Sequence, residues 1–232
     1  MDKNKHKIYM AQILKQVFQD KELCNLLAFK GGTALMFFHD LPRFSTDLDF
    51  NLLDSSREKD VYEKVRQILS KYGTIDDEAI KHYGIVMVLN YGKGERMLKV
   101  EISNRVYANH YEIRNLAGTD IRVMTISDMF AHKLCALVER ITPRDVFDCW
   151  FFLQRKISIN ESIIRERTGL SLAEYLPKCV ETVKNVNVKI LMQGLGEVLL
   201  DNKSKTFVKS RLIQEVLDAL ELFAMFPIVN RE

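Results

Sequence analysis

Asp47 and Asp49 stand one residue apart in Ser45-Thr46-Asp47-Leu48-Asp49-Phe50, alternating with Leu48 and Phe50. Side chains on a strand alternate between faces, so both carboxylates leave the same side of the backbone. Such carboxylates repel each other unless a hard divalent cation lies between them, and oxygen ligands of this kind suit Mg2+. Aspartate at a strand end also forms turns, but the alternation with apolar neighbours favours the metal reading. Glu101 interrupts the apolar strand Leu98-Lys99-Val100-Glu101-Ile102 and is the natural third carboxylate. Alone it would read as a solvated residue on a half-exposed strand. Upstream, Lys30-Gly31-Gly32-Thr33 forms a glycine turn ahead of a short run of helix formers. Backbone N–H groups at such a turn can hold phosphate oxygens, with Lys30 adding charge or simply exposed. These features describe a site for a metal ion and a triphosphate.

A second group lies downstream. Lys133 and Arg140 are seven residues apart and share a helix face. A lysine among apolar residues calls for a partner, either phosphate or carboxylate. Arg144, Asp145 and Asp148 belong either to the same site or to a plain helix ion pair between Arg144 and Asp148. His39, His82, His110 and His132 show no ligand spacing and read as structural or surface residues.

The elements that must position these groups follow from periodicity. Ile8 to Leu27 predicts one or two amphipathic helices, and Ala28-Phe29-Lys30 a short strand leading into the glycines. Thr33 to His39 predicts a short helix ended by Pro42, and Asp47 to Leu53 a strand. Ser55 to Tyr72 predicts a helix capped by Ser55. Ile85 to Tyr91 and Met97 to Ser103 predict an antiparallel hairpin, followed by a strand at Ile121 to Met124. Helices are expected from Thr125 and from Arg144, then almost throughout from Ile163, broken at Gly169 and at Gly194/Gly196.

Composition limits the class of protein. The 232 residues suit one large domain or two small ones, and 47% hydrophobic with 28% charged residues excludes a disordered chain. A net charge of +3 is too small to argue for a nucleic-acid partner by itself. Cys24, Cys135, Cys149 and Cys179 form no CxxC pair and read as buried reduced thiols, consistent with the cytoplasm. No segment approaches the roughly 20 apolar residues that span a bilayer, and no secretory leader is expected at the N-terminus.

Gly31-Gly32-Thr33-Ala34-Leu35 followed by Arg43-Phe44-Ser45-Thr46-Asp47-Leu48-Asp49-Phe50 resembles a nucleotidyltransferase signature. With the strand Lys99–Ser103, the helix AHKLCALVER and the segment TPRDVFDCWFFL, the stretch from Lys30 to Leu153 is similar to the AbiEii/AbiGii-type toxin nucleotidyltransferases. The resemblance implies an α+β fold. A polymerase-β-like nucleotidyltransferase domain with a mixed sheet (1–120) would be followed by a mostly helical domain (121–232) that completes the active-site cleft. It implies transfer of a nucleoside monophosphate from an NTP with one or two Mg2+ ions, by the toxin of a toxin–antitoxin or phage-defence pair. Some relatives modify tRNA 3′ ends, and the cognate antitoxin is often a separate protein. By resemblance Asp47, Asp49 and Glu101 are metal ligands, and Lys133 and Asp148 (or Asp145) are catalytic. Lys30, Gly31, Gly32, Thr33, Ser45, Arg144 and Asp145 then form the nucleotide-binding set. Thr33 stands where many such enzymes have serine and should keep the hydroxyl function.

Three functions stay open at this stage. The leading one is transfer to an RNA or protein hydroxyl, tRNA in particular. Lys184, Lys189, Lys203, Lys205, Lys209 and Arg211 lean that way. A small-molecule nucleotidyltransferase of antibiotic-modifying type would use the same front half with a different acceptor surface. A non-catalytic nucleotide-binding regulatory module would show erosion of the acids, which are all present.

Overall fold

Alternating apolar residues in Leu98–Ser103 give a strand buried at every second position, and strands of this kind build the sheet of the computed structural model, which describes residues 2–230. The chain divides into two units. The first takes the chain up to Asp40 with Phe44–Val106 and His110–Met124, and the second takes Leu41–Arg43, Tyr107–Asn109 and the chain from Thr125 onward.

The first unit holds seven strands: β1 (Leu27–Lys30), β2 (Asp47–Leu52), β3 (Thr74–Lys81), β4 (Gly84–Asn90), β5 (Leu98–Ser103), β6 (Tyr111–Leu116) and β7 (Thr119–Met124). Their order is β3-β4-β5-β2-β1-β7-β6, with β2–β5 and β1–β7 parallel and the other pairs antiparallel. The sheet is therefore mixed, and the hairpin predicted from residues 85–91 and 97–103 is β4–β5, with Leu89 opposite Leu98. Sequence periodicity did not reveal β3 or β6. Their residues TIDDEAIK and YEIRNL are largely polar, as suits exposed strands at the two sheet edges. The β6–β7 turn places Ala117 in left-handed backbone, a poor match to the usual hairpin signal.

Helices α1 (Lys3–Gln19), α2 (Leu23–Leu26), α3 (Gly31–Phe38) and α4 (Glu58–Leu69) complete this unit. α1 begins five residues before the expected Ile8, because the Asp2 side chain accepts from the N–H groups of Asn4 and Lys5. The turn before α4 is likewise capped by Asp54, which accepts from the Ser56 N–H, rather than by Ser55. The Phe18 ring of α1 lies 6.4 Å from that of Phe50, so α1 covers the Phe50 face of β2. Asp47 and Asp49 leave the opposite face.

The second unit is helical: α5 (Ile126–Arg140), α6 (Pro143–Gln154), α7 (Glu161–Thr168), α8 (Leu172–Lys184), α9 (Val188–Leu195), α10 (Asn202–Ser210) and α11 (Leu212–Met225). α11 packs on α6 and α8, and α5 on α6. Phe130 stacks on Phe152 at 4.9 Å and meets Phe223 at 5.7 Å, and each such ring contributes about 1.5–3 kcal/mol on burial. Gly194 lies inside α9 against Pro143, while Gly196 caps the end of α9 as Gly169 caps that of α7. Cys135, Cys149 and Cys179 are buried, and burial pushes the Cys135 thiol up to about 11 and Cys179 up to about 12. Cys24 is only half-buried, and no described helix is long and apolar enough to cross a membrane.

Gly84 starts β4 opposite Ser103 with φ +122°, and a Cβ there would lie 1.9 Å from the Ile102 carbonyl oxygen. Gly84→Ala should therefore cost about 3 kcal/mol in a denaturant melt, since both the backbone angle and the strand contact oppose a side chain. A loss below about 0.5 kcal/mol would show that the β4–β5 register can shift.

Candidate active site

Strand register brings the front-half residues together. Asp49 is the register partner of Glu101 on β5 and of Lys30 on β1, and Asp47 is the partner of Lys99. Register partners point to the same face and neighbouring strands lie about 4.8 Å apart, so Lys30, Asp49 and Glu101 form one row, with Asp47 and Lys99 one step along it. All five are half-buried, while Leu48, Phe50, Val100 and Ile102 fill the opposite face.

The glycine turn lies against this row. Gly31 has φ +80°, and a Cβ there would meet Asp49 Oδ2 at 2.5 Å. Only glycine allows the N-terminus of α3 to approach the carboxylate so closely. Gly32 and Thr33 follow in the first turn of α3, and both are buried. The Thr33 hydroxyl is fully buried and donates to the Asp47 carbonyl oxygen at 2.5 Å, which anchors the start of β2.

The preceding carbonyl is held as well. His6 of α1 is fully buried, with Nε2 at 2.9 Å from the Thr46 carbonyl oxygen and Nδ1 bonded to the Tyr91 hydroxyl. A carbonyl only accepts, which assigns the proton to Nε2 and makes Nδ1 the acceptor from Tyr91. Burial lowers the His6 pKa and pushes the Tyr91 hydroxyl up to about 12, so both are neutral near pH 7. Ser45, in the approach to β2, is buried beside them in sequence.

Lys99 was not singled out in the sequence, although its even spacing from Glu101 places it on the acid face. Its ammonium lies 2.5 Å from Glu101 Oε2. Burial pushes its pKa down, but the hydrogen bond to Glu101 and the fields of Glu101, Asp49 and Asp47 outweigh this and raise it. Among the described residues, no three His, Cys, Asp or Glu side chains converge as a ready cage for a metal ion. The donor set nonetheless suits Mg2+: three carboxylates on one face of adjacent central strands, all hard oxygen ligands.

In the second unit the downstream residues form one ion network around two buried aspartates. Arg43 holds Asp148 through two bonds of 2.7 Å, Nε to Oδ1 and Nη2 to Oδ2, with side chains 2% and 0% exposed. Lys133 Nζ lies 2.8 Å from Asp148 Oδ2 and 3.0 Å from Asp145 Oδ1. Asp145 also accepts from Arg140 Nε at 2.8 Å and from the Thr142 hydroxyl at 2.5 Å. Burial pushes the carboxyls of Asp145 and Asp148 up, but Lys133 with Arg140, and Arg43 with Lys133, outweigh it and lower both. Burial likewise lowers Lys133, and the two aspartates more than restore it.

These contacts decide alternatives that spacing left open. The partners of Lys133 in this structure are two carboxylates. Asp148 turns to Arg43 and Lys133, where the helix spacing suggested Arg144; Arg144 is half-buried in the first turn of α6. A fully buried Asp148 in bidentate contact cannot meet a substrate without breaking that pair, so its geometry is that of a residue holding Lys133. Arg43 was missed, its signal being an arginine between Pro42 and Phe44 in an apolar stretch. His132 bonds to the Asn109 side chain at 2.7 Å and to Arg167 at 2.8 Å, as a structural histidine.

Removing one charge strands the others. Asp148→Asn should cost about 3–5 kcal/mol in a denaturant melt at pH 7, because Arg43 and Lys133 lose a buried counter-charge. The folded pKa values of Asp145 and Asp148 lie below the unfolded 3.8, so their stabilisation is essentially complete above about pH 5 and is lost as pH falls further. Melts from pH 7 to pH 2 should show this loss for the parent and a smaller one for Asp148→Asn; equal pH dependence would refute the assignment.

A family model for the nucleotidyl transferase AbiEii toxin, of type IV toxin–antitoxin systems, matches residues 12–217. No curated protein sequence matches the chain. Among solved structures, the Helicobacter pylori protein JHP933 is similar at 21% identity with a TM-score of 0.57, covering 96% of this chain and 95% of that one. A putative nucleotidyltransferase of H. pylori gives 22% and 0.58, covering 94% and 96%. MenT4, a nucleotidyltransferase toxin of Mycobacterium tuberculosis H37Rv, gives 17% and 0.55, covering 95% and 93%. At these identities the structures show a shared fold, whereas the family match spans most of the chain. The acid row, the glycine turn against it and this match together place the chain in the AbiEii family of nucleotidyltransferase toxins.

Proposed function

We propose that the chain transfers a nucleoside monophosphate from an NTP to a hydroxyl of an RNA acceptor, tRNA first among candidates, as the toxin of a toxin–antitoxin or phage-defence pair. The row of Asp49 and Glu101 on adjacent parallel strands, with Asp47 one step away, carries this reading. Asp47, Asp49 and Glu101 would hold one or two Mg2+ ions, which when bound neutralise triphosphate charge and favour ionisation of the acceptor hydroxyl.

The chain's own groups account for the rest. Backbone N–H groups of Gly31 and Gly32 at the α3 N-terminus suit phosphate oxygens, and Lys30 leaves the same face as Asp49. The acceptor oxygen bonds to the α-phosphorus as its bond to the β-phosphate oxygen breaks, and pyrophosphate leaves. Glu101 is the carboxylate we assign to take the acceptor proton. In the second unit, Asp145 and Asp148 fix the direction of the Lys133 ammonium, whose side chain is 15% exposed and suited to an anionic oxygen. Lys184, Lys189, Lys203, Lys209 and Arg211 are exposed in that unit, which favours a polyanionic acceptor over a cationic drug.

Incubation with each labelled NTP, Mg2+ and total tRNA should label tRNA. Asp49→Asn should reduce transfer by about 100-fold or more without lowering the melting temperature. Label on the protein or on a small molecule would replace RNA as the acceptor, and no transfer from any NTP would sink the enzymatic reading.

A further inference from the structure

We infer that Lys99 is an internal counter-ion of the acid row, holding Glu101 until a divalent cation takes that carboxylate, and so lowering the row's cation affinity while supporting the cation-free fold. This rests on the reading of Asp47, Asp49 and Glu101 as the metal-binding acids.

Three observations carry it. Lys99 and Glu101 are two residues apart on β5, so they share the face that bears Asp47 and Asp49. Lys99 is itself the register partner of Asp47, which places its backbone beside the acids rather than at the rim. Its ammonium contacts Glu101 at 2.5 Å, and among the described residues the three acids do not converge as a ready cage. The Lys99 charge, together with that of Lys30 on β1, offsets part of the repulsion among three carboxylates in the cation-free protein. The pair is also able to open. Both side chains are 44% exposed, and lysine carries a compact, strongly hydrated charge on a flexible stem that can swing into water. A half-exposed pair of this kind competes without blocking: opening it weakens cation binding by about two- to fivefold. The contrast with Lys133 is instructive, because that ammonium is locked between two fully buried carboxylates and has no such freedom.

The test uses the full chain and Mn2+ alone, without nucleotide, with free Mn2+ followed by its electron paramagnetic resonance. Lys99→Met should bind Mn2+ about fivefold more tightly than the parent. It should also melt at a lower temperature in EDTA and gain more from saturating Mn2+. Lys99→Arg, which keeps the charge, should stay within about twofold of the parent. Lys99→Gln repeats the measurement should the methionine variant fail to fold. Unchanged or weaker Mn2+ binding by the charge-removing variants, with binding still abolished by Asp49→Asn, overturns the role of Lys99 alone. The same holds if a parallel NTP titration shows weaker binding by Lys99→Met while its Mn2+ binding is unchanged, since Lys99 would then be a phosphate ligand. No Mn2+ binding sensitive to Asp49→Asn in the parent overturns this inference together with the metal reading beneath it.

Discussion

Asp49 and Glu101 face one another across a single strand interval, and two carboxylates so placed repel. Much of the first unit arranges backbone and charge around that repulsion. The parallel pairing of β2 with β5 creates it, and parallel pairing requires a long crossover, here supplied by α4, β3 and β4. Leu48, Phe50, Val100 and Ile102 on the opposite face supply the burial that holds the strands in register. The α3 N-terminus, brought against Asp49 by Gly31, presents positive partial charge to one acid, and Lys30 and Lys99 contribute full charges.

The two units treat charge in opposite ways. The acid row carries three carboxylates against two ammonium groups and is half-buried, so it keeps an excess of negative charge that water and ions can reach. The ion network of the second unit sets Arg43, Lys133 and Arg140 against Asp145 and Asp148, with both carboxylates buried. There the excess is positive and the geometry rigid, because each aspartate is held from at least two sides. A half-buried row stays open to water and ions; two buried aspartates held from several sides keep one ammonium in a set direction.

Legibility followed range of interaction. The period-two pattern of Asp47-Leu48-Asp49-Phe50 and of Leu98–Ile102 was enough to place three acids on strands, because alternation is a property of the backbone alone. The same pattern contained Lys99. The glycine turn and the short helix after it were visible for the same local reason. Strands β3 and β6 were not, since an edge strand needs little apolar patterning and takes its hydrogen bonds from a neighbour. Arg43 was hidden for a different reason: its partner Asp148 is more than a hundred residues away, and an arginine between Pro42 and Phe44 does not by itself say which carboxylate it meets.

By itself, then, the sequence determined the placing of the three acids on strands, their shared face along each strand, the glycine turn and the two-part order of strands followed by helices. Only the tertiary structure decided that β2 and β5 are adjacent and parallel, with Asp49 opposite Glu101. It also decided that the Thr33 hydroxyl anchors the Asp47 carbonyl, and that Lys133 is held by Asp145 and Asp148 with Arg43 closing the network. The division has a physical cause. Periodicity and turn chemistry act over a few residues and are written in their order, whereas register and buried charge pairing depend on which distant segments share a low-dielectric interior.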